Sequence, residues 1–202
     1  SQINYKIYFM TTELKTEVRK NKMHPYKMVL YAGLGSIVMM FAGLTSAYMV
    51  KKSQANWLDF ELPKVFLTST IVLLLSSFTI QMAVKKAKEG HQNPYRGFLS
   101  VTAILGVVFM ILQLQGFMAL QANNIALTGP RSNSAASFLF VITCLHLLHV
   151  LGGLIALIGV SFKSFSAKNN PENTLPVELL STYWHFVDIL WIYLFVFLHW
   201  IG

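Results

Sequence analysis

The stretch Tyr183–Gly202, YWHFVDILWIYLFVFLHWIG, is long and apolar enough to cross a membrane as a single helix. It nevertheless carries His185 and Asp188 near the middle of the apolar run and His199 near its end. An aspartate at the centre of a spanning helix costs about 2.5–3.5 kcal/mol on insertion scales. We therefore expect this side of the helix to face protein, water or a bound lipid headgroup, because hydrocarbon gives the acid no partner.

The two residues belong to a longer polar stripe. With about 100° of rotation per residue, the members of the stripe fall within about 80° of arc on one side of the helix. They are Glu178, Ser181, His185, Asp188, Ile192 and His199. His185 and Asp188 lie one turn apart, so each can serve as the other's partner, or both can reach one group on a neighbouring helix.

The composition indicates a multi-pass membrane protein. Of the 202 residues, 54% are hydrophobic and 12% are charged, whereas a soluble domain carries about 25% charged residues. The net charge of +8 does not indicate a nucleic-acid partner, because the basic residues lie in short loops beside apolar runs, where they orient helices. Cys144 is the one cysteine, which excludes a disulfide and a cysteine-ligated zinc or iron–sulfur site within these residues.

Five segments have the length of about 20 mostly apolar residues that a spanning helix needs. They are residues 26–50, 65–84, 98–120, 135–161 and 178–201. Short, turn-rich polar loops separate them, and no loop is long enough to form a separate domain. The sequence therefore predicts an all-α integral membrane bundle of five transmembrane helices over residues 26–202, preceded by a polar basic tail at 1–25.

The distribution of Lys and Arg predicts the orientation of this bundle. Twelve of the sixteen basic residues lie in the N-terminal tail together with Lys27 and in the second and fourth loops. The positive-inside rule therefore predicts a cytoplasmic N-terminus and a C-terminus outside. Trp57, Trp184 and Trp200 fall near the predicted membrane interfaces, as belt aromatics do, whereas Trp191 does not.

Small residues at four-residue spacing mark where helices can approach closely. The first span carries Gly43 and Ala47. The fourth span carries Gly152, Gly153 and Ala156. One interpretation is ordinary packing between helices of this chain, and the alternative is contact with a partner subunit.

His146 and His149 lie three residues apart on the fourth span and share a face. A haem needs axial ligands on opposite sides of one iron, which two histidines on adjacent turns cannot supply. A single metal held by His146, His149 and Asp188 is an alternative, but the sequence shows no residues placed to hydrogen-bond these ligands and orient them. We therefore expect no cofactor and no metal in this chain.

These residues combine into one predicted cluster with a structural or lipid-binding function. Its members are His146, His149, Glu178, Ser181, His185 and Asp188. The two histidines of the fourth span are the expected neighbours of the pair on the fifth. We expect no catalytic residue, because the sequence has no nucleotide-binding loop, nucleophile–base arrangement or paired-carboxylate site. The unbroken spans also differ from the broken helices of transporters.

The closing helix resembles the terminal helix of subunit III of the haem–copper oxidases, the cytochrome c oxidase family. The matching positions are Glu178, Tyr183, Trp184, His185, Phe186, Val187, Asp188, Trp191, Trp200 and Gly202. In the fourth span, FLFVITCLHLLHVLGG resembles the family's histidine-containing run through His146 and His149, and Leu112 and Gln113 of the third span also match. The resemblance covers residues 24–202 and is most specific at the C-terminus.

The resemblance implies an accessory subunit of the five-helix bacterial form, similar to the last five helices of the seven-helix form. Haem and copper then belong to partner subunits. It implies direct packing against catalytic subunit I, an assembly with subunit II and other respiratory subunits, bound phospholipid, and a location in the bacterial cytoplasmic membrane. The implied function is to support the stability and proton uptake of subunit I in a terminal oxidase that reduces oxygen and pumps protons.

Two positions depart from the family pattern. Ile37 follows Ser36 where the family has a buried glutamate, and Gly116 stands where it has a second acid. Several alternatives stay open at this point. Within the family, the subunit could serve a quinol oxidase or an assembly linked to nitric oxide reductase, because other subunits choose the electron donor. Outside the family, the polar stripe could serve a free-standing proton transporter, or the histidines a di-haem membrane cytochrome.

Overall fold

The computed structural model describes residues 25–52, 63–122, 134–166 and 174–201. Within them lie the helices α1 (Pro25–Lys52), α2 (Lys64–Lys88), α3 (Gln92–Ala122), α4 (Ser134–Ser166) and α5 (Leu175–Ile201). All five are long and apolar enough to cross a membrane, which confirms the predicted all-α bundle of five spans. Each helix extends past its predicted span at one or both ends, since hydropathy marks only the hydrocarbon part of a helix. Residues 1–24 of the predicted basic tail, Trp57 and Gly202 lie outside the described residues, and Pro25 is the first residue of α1.

A tight turn makes α2 and α3 antiparallel neighbours. Gly90 has a φ of 76°, a backbone conformation that a residue without a Cβ adopts at little cost. The His91 amide donates to the Lys86 carbonyl and the Gly90 amide to the Ala87 carbonyl, each at 3.1 Å, which is the pattern of a Schellman cap. Beside it, the hydrogen bond from Lys86 lowers the pKa of the exposed Glu89 carboxyl. The cap sends the chain directly back, so α2 and α3 form the most extensive helix pair in the bundle.

The last helix, α5, lies at the centre of the bundle and α1 lies at its edge. In the most apolar part of α5, 44% of the residues are buried, whereas 17% are buried in the most apolar part of α1. Among the described residues, the backbone of α5 approaches α1, α2 and α4, and the side chains of Trp184 and Trp191 also reach α3. Trp191 of α5 is fully buried between Phe66 at 6.3 Å and Phe109 at 5.4 Å, measured between ring centroids. Aromatic pairs of this kind contribute about 0.5–1.5 kcal/mol each beyond the area that they bury.

The small residues of the two marked helices differ in what they face. A Cβ on Gly153 would lie 2.9 Å from Tyr183 Cε1, so α4 and α5 approach closely there. Gly43 and Ala47 of α1 are exposed, and no atom lies within 4 Å of a Cβ built on Gly43. For these two residues the interpretation as packing within the chain is wrong, because α1 turns a different face, with Phe41 buried on it, toward α4 and α5.

The remaining small residues of α4, Gly152 and Ala156, are also exposed. The nearest atom to a Cβ built on Gly152 is the Tyr183 hydroxyl oxygen, at 4.0 Å. The close contact of α4 with α5 is therefore at Gly153, and not at Gly152 and Ala156, which are four residues apart. Residues at positions i and i+4 share a face, and Gly153 lies about 100° around the helix from Gly152.

The tryptophans also divide into two kinds. Trp200 is 86% exposed, as expected of a residue at the edge of the membrane. Trp184 is only 2% exposed and its indole nitrogen donates to Ser76 Oγ at 3.0 Å. The prediction of Trp184 as a belt residue is therefore wrong. A buried indole N–H requires an acceptor, and a hydroxyl on α2 supplies one inside the bundle.

Candidate functional site

The polar stripe of α5 lies mainly against α2, and we call this contact the α2–α5 seam. Its members on α2 are Thr70, Ser76, Ser77, Gln81 and Lys88, and those on α5 are Glu178, Trp184, His185, Asp188 and Trp191. The helices are antiparallel, since the end of α2 pairs with the start of α5 and the middle of each helix pairs with the middle of the other. The seam is thus a series of side-chain contacts along most of the membrane-spanning length.

Both ring nitrogens of His185 contact α2. Nδ1 lies 2.7 Å from Ser77 Oγ, and Nε2 lies 3.1 Å from Gln81 Oε1. An amide oxygen only accepts, so Nε2 carries a hydrogen, and in the neutral ring Nδ1 accepts the Ser77 hydroxyl proton. The predicted neighbours of His185, His146 and His149 of α4, are therefore not its partners.

Asp188 is a buried acid whose carboxylate oxygens have no hydrogen-bond partner among the described residues. Its exposed fraction is 3%. The Ser77 hydroxyl is close enough to interact with the carboxyl group but does not meet full hydrogen-bond geometry. Of the two alternatives for His185 and Asp188, direct pairing is wrong, because both ring nitrogens of His185 point to α2. The other alternative, one group on a neighbouring helix within reach of both side chains, agrees with the position of Ser77. A buried carboxylate without a partner is costly.

The two histidines of α4 have separate surroundings. His146 has an exposed fraction of 0% and neither of its ring nitrogens has a hydrogen-bond partner in the described part of the chain. Its ring lies 5.0 Å from that of Trp191 and 6.1 Å from that of Phe109. His149 Nδ1 lies 2.6 Å from the Leu145 carbonyl oxygen, so that nitrogen carries the hydrogen and donates it within the helix. His146 is therefore held by aromatic packing and His149 by its own helix.

These positions do not assemble a metal site. Among residues 25–52, 63–122, 134–166 and 174–201, no group of three or more His, Cys, Asp or Glu side chains could hold a metal ion. The chelate of His146, His149 and Asp188, considered from the sequence, is thus not formed. Tyr183 instead ties α5 to α4, since its hydroxyl donates to the His149 carbonyl oxygen at 3.0 Å.

Glu178 marks the end of the stripe where three helices meet. One carboxylate oxygen lies 3.1 Å from Lys88 Nζ and the other 3.5 Å from Lys27 Nζ. The start of α1, the end of α2 and the start of α5 therefore lie at the same face of the bundle, as alternate crossing of a membrane requires. Ser181 is buried one turn further along, and His199 is exposed at the far end.

Sequence reasoning missed the hydroxyl groups of α2, which supply most partners of the seam. Trp191 donates to Thr70 Oγ1 at 3.0 Å, as Trp184 donates to Ser76. The signal was present as paired hydroxyls at positions 69–70 and 76–77, seven residues and about two turns apart. The two tryptophans of α5 are also seven residues apart. Matching spacings on two apolar helices indicate a common face.

The two departures from the family pattern have local explanations. Ile37 is half-buried and packs against the hydrophobic core. A Cβ on Gly116 would lie 2.9 Å from two ring carbons of Phe66. Phe66 therefore occupies the space into which an acidic side chain at position 116 would project.

Comparison with known proteins gives consistent matches. A model of the family described as "Cytochrome c oxidase subunit III" matches residues 36–202. A protein named probable cytochrome c oxidase subunit 3 from Nocardia farcinica is 36% identical over 168 residues, which are 80% of this chain and 81% of the relative. The cytochrome c oxidase subunit 3 of Corynebacterium diphtheriae is 30% identical over 176 residues, 83% and 84% of the two chains. The cytochrome bo(3) ubiquinol oxidase subunit 3 of Buchnera aphidicola is 29% identical over 177 residues, 84% and 83% of the two chains.

Proposed function

The chain belongs to the cytochrome c oxidase subunit III family, and from this premise we propose that it is the accessory, cofactor-free subunit III of a respiratory terminal oxidase that uses cytochrome c. It supports the stability and the proton uptake of catalytic subunit I, which reduces oxygen and pumps protons together with subunit II. Haem and copper lie in those partner subunits. Its own part in the reaction is indirect, and none of its residues touches the reacting atoms.

One observation supports this proposal best. Polar side chains that lie within membrane-spanning helices contact neighbouring helices of the chain, as His185 does with Ser77 and Gln81. Interhelical hydrogen bonds in membranes average about 0.6 kcal/mol, so each one is weak and several are needed to hold a bundle. Such a bundle presents a shaped surface to a partner. A free-standing proton transporter and a di-haem cytochrome are set aside, because family membership places the chain in an oxidase complex.

The same proposal includes orientation and location. The N-terminus faces the cytoplasm, the C-terminus faces outside, and the protein spans the bacterial cytoplasmic membrane. The basic face at the Lys27–Glu178–Lys88 contact supports this orientation, because positive residues favour the cytoplasmic side. Gly43 and Ala47, which are exposed on α1, then offer close approach to a partner subunit or to lipid.

A quinol oxidase is the second candidate, and the similarity to the Buchnera protein favours it. The two alternatives differ in the electron donor, which other subunits bind. Purification of the complex from its host, followed by oxygen consumption with reduced cytochrome c or with a quinol, separates them.

The test of the accessory function compares the intact complex with one depleted of this chain. We expect the depleted complex to retain its haem spectrum and to begin turnover. It should take up protons more slowly and lose activity sooner during turnover. Equal rates, proton yields and lifetimes in the two preparations would contradict the proposal. A stoichiometric haem in the isolated chain would contradict its cofactor-free character.

A further inference from the structure

Asp188 is a buried ionisable group to which the described residues give no hydrogen-bond partner, so the packing of the bundle does not explain its presence. The tryptophans on either side of it along the seam, Trp184 and Trp191, have hydroxyl acceptors on α2. The carboxyl group of Asp188 has no full hydrogen bond in the described part of the chain, although it is almost completely buried. The acid therefore calls for a chemical explanation.

The hydroxyl of Ser77 is placed between two ionisable groups. It lies 2.7 Å from His185 Nδ1 and within interaction reach of Asp188. His185 and Asp188 are one turn apart on α5, so both side chains reach the same part of α2. A hydroxyl accepts and donates at the same time, which allows it to join an acid to an imidazole.

We propose that Asp188, Ser77 and His185 form a relay that holds one exchangeable proton. This inference rests on the proposed function, since it assigns to named residues the support that the chain gives to proton uptake. In the neutral form, the Asp188 carboxyl group donates to Ser77 Oγ, the Ser77 hydroxyl donates to His185 Nδ1, and His185 Nε2–H donates to Gln81 Oε1. The first of these bonds is not formed in the structure and requires rotation of the carboxyl group toward Ser77.

Proton transfer along the relay needs no other reactant. The carboxyl O–H bond breaks as its proton moves to Ser77 Oγ, and the Ser77 hydroxyl proton moves to His185 Nδ1. The products are a carboxylate, an intact serine hydroxyl and an imidazolium. The imidazolium then releases its Nε2 proton at the outer side of the seam, which leaves a neutral ring with its hydrogen on Nδ1. These steps release one proton from a buried acid to the surface of the chain. The reverse steps, which begin with a proton bound at His185 Nε2, return one proton to Asp188 through the same opening.

The outer end of the relay is accessible, whereas the inner end is not. Gln81 is exposed and His185 is half-buried, but Asp188 is buried. Gln81 lies seven residues before Lys88, and His185 seven residues after Glu178, so the opening is about 10 Å from the charged face of the bundle. Polar groups at that depth are costly against lipid. The opening therefore fits a surface covered by a partner subunit, with which the relay exchanges its proton.

Other titratable groups lie on the helices around the relay. His146 and His149 of α4 are engaged with Trp191 and with the Leu145 carbonyl oxygen. Glu178 is paired with lysines at the end of the seam. Among the hydrogen bonds of the described residues, none joins these groups to His185 or Asp188, so the relay is expected to titrate as one unit.

The experiment is infrared difference spectroscopy of the intact oxidase complex that contains this chain. The carbonyl stretch of the Asp188 carboxyl group is identified by its absence in Asp188→Asn. We expect this band at neutral pH, with a shift in D₂O, and we expect it to disappear on titration together with changes in the imidazole bands of His185. In Ser77→Ala the carboxyl band should shift in frequency and should no longer change in step with the imidazole bands. Thr68→Ala is the matched control, since this hydroxyl lies on the same helix and donates to the Lys64 carbonyl oxygen.

A wild-type complex without the Asp188 carboxyl band at neutral pH overturns the relay. So does a Ser77→Ala spectrum identical to that of Thr68→Ala. Where Ser77→Ala fails to assemble, Ser77→Thr restores a hydroxyl and should restore the coupled titration, and a His185→Gln complex should show the shifted, uncoupled carboxyl band. These results are independent of the accessory function. That function fails when depletion of the whole chain leaves turnover and proton uptake unchanged, whatever the spectra show.

Discussion

Replacement of Gly153 by alanine tests the contact between α4 and α5 most directly. The new Cβ would lie 2.9 Å from Tyr183 Cε1 and 3.3 Å from two ring carbons of Trp184. Neither ring moves away freely, because the Tyr183 hydroxyl donates to the His149 carbonyl oxygen and the Trp184 indole donates to Ser76, both at 3.0 Å. Overpacking of a well-packed core costs about 1–3 kcal/mol. Loss of either hydrogen bond would add about 0.5–1.5 kcal/mol.

Gly152→Ala is the matched control, because the residue is adjacent on the same helix. The nearest atom to its new Cβ is the Tyr183 hydroxyl oxygen at 4.0 Å, an ordinary contact. Both substitutions gain about 1 kcal/mol of helix propensity, which cancels in the comparison. We therefore expect Gly153→Ala to be less stable than Gly152→Ala by about 1–3 kcal/mol, from the overpacking alone.

The assay is the release of this chain from the purified complex as temperature rises in detergent, followed by separation of the subunits. Gly153→Ala should release the chain at a lower temperature than Gly152→Ala, and Gly152→Ala at the same temperature as the wild type or a higher one. Equal midpoints for the two variants would refute the reasoning, because the backbone of α4 would then tolerate a methyl group on either side. A lower midpoint for Gly152→Ala would show that its exposed face carries the tighter contact.

Three further predictions concern other contacts. Trp191→Phe keeps an aromatic ring but loses the bond to Thr70 and leaves a cavity at a fully buried position. The free energy of unfolding of the chain should therefore fall by more than the about 0.5–1.5 kcal/mol of one hydrogen bond, seen as a lower release temperature in the same assay. Glu178→Gln removes its ion pair with Lys88, and we expect a small loss of retention at low salt that vanishes at high salt, because salt screens charges near the surface. The Cys144 thiol should resist membrane-impermeant maleimide from both sides of the intact complex, and rapid labelling would mean that α4 lines a water-filled path.

The five helices could be predicted from the sequence because apolar length is a property of each segment alone. About 20 apolar residues suffice to span a bilayer, whatever the neighbours are. The partners of His185 could not be predicted in the same way. Spacing along α5 shows that His185 and Asp188 share a face, but it does not show which helix lies opposite that face. Neighbour identity depends on the order and rotation of all the helices, and here it led to α2 with Ser77 and Gln81, not to α4.

The exposure of a side chain could also not be predicted from the position of its residue along a membrane-spanning segment. Trp184 lies near the predicted edge of its span, where lipid-facing tryptophans are common, yet it points inward to Ser76. The small residues of α1 gave the opposite error, since Gly43 and Ala47 are exposed. In both cases the prediction used only the residue type: tryptophan was expected at the membrane interface, and glycine and alanine at a helix contact. Which way each side chain points depends on the rotation of the helix, which the residue type does not give. The paired hydroxyls of α2 carried that information. Ser76 and Thr70 donate to carbonyl oxygens of their own helix, and each also accepts an indole N–H from the facing helix.

The seam is polar because α5 packs in lipid, where apolar contacts alone do not fix the rotation and register of a helix. Lipid tails are as apolar as leucine, so burial of apolar side chains does little to select one rotation of a helix over another. Directional contacts make that selection. Trp184 with Ser76 and Trp191 with Thr70 form two bonds about two helical turns apart, and a shift of α5 by one residue would break both. The ion pair of Glu178 with Lys88 repeats the same register at the end of the helix.

Asp188 lies between the two tryptophan bonds and adds no comparable bond of its own. Register therefore accounts for the tryptophans and hydroxyls of the seam, and proton exchange accounts for the acid.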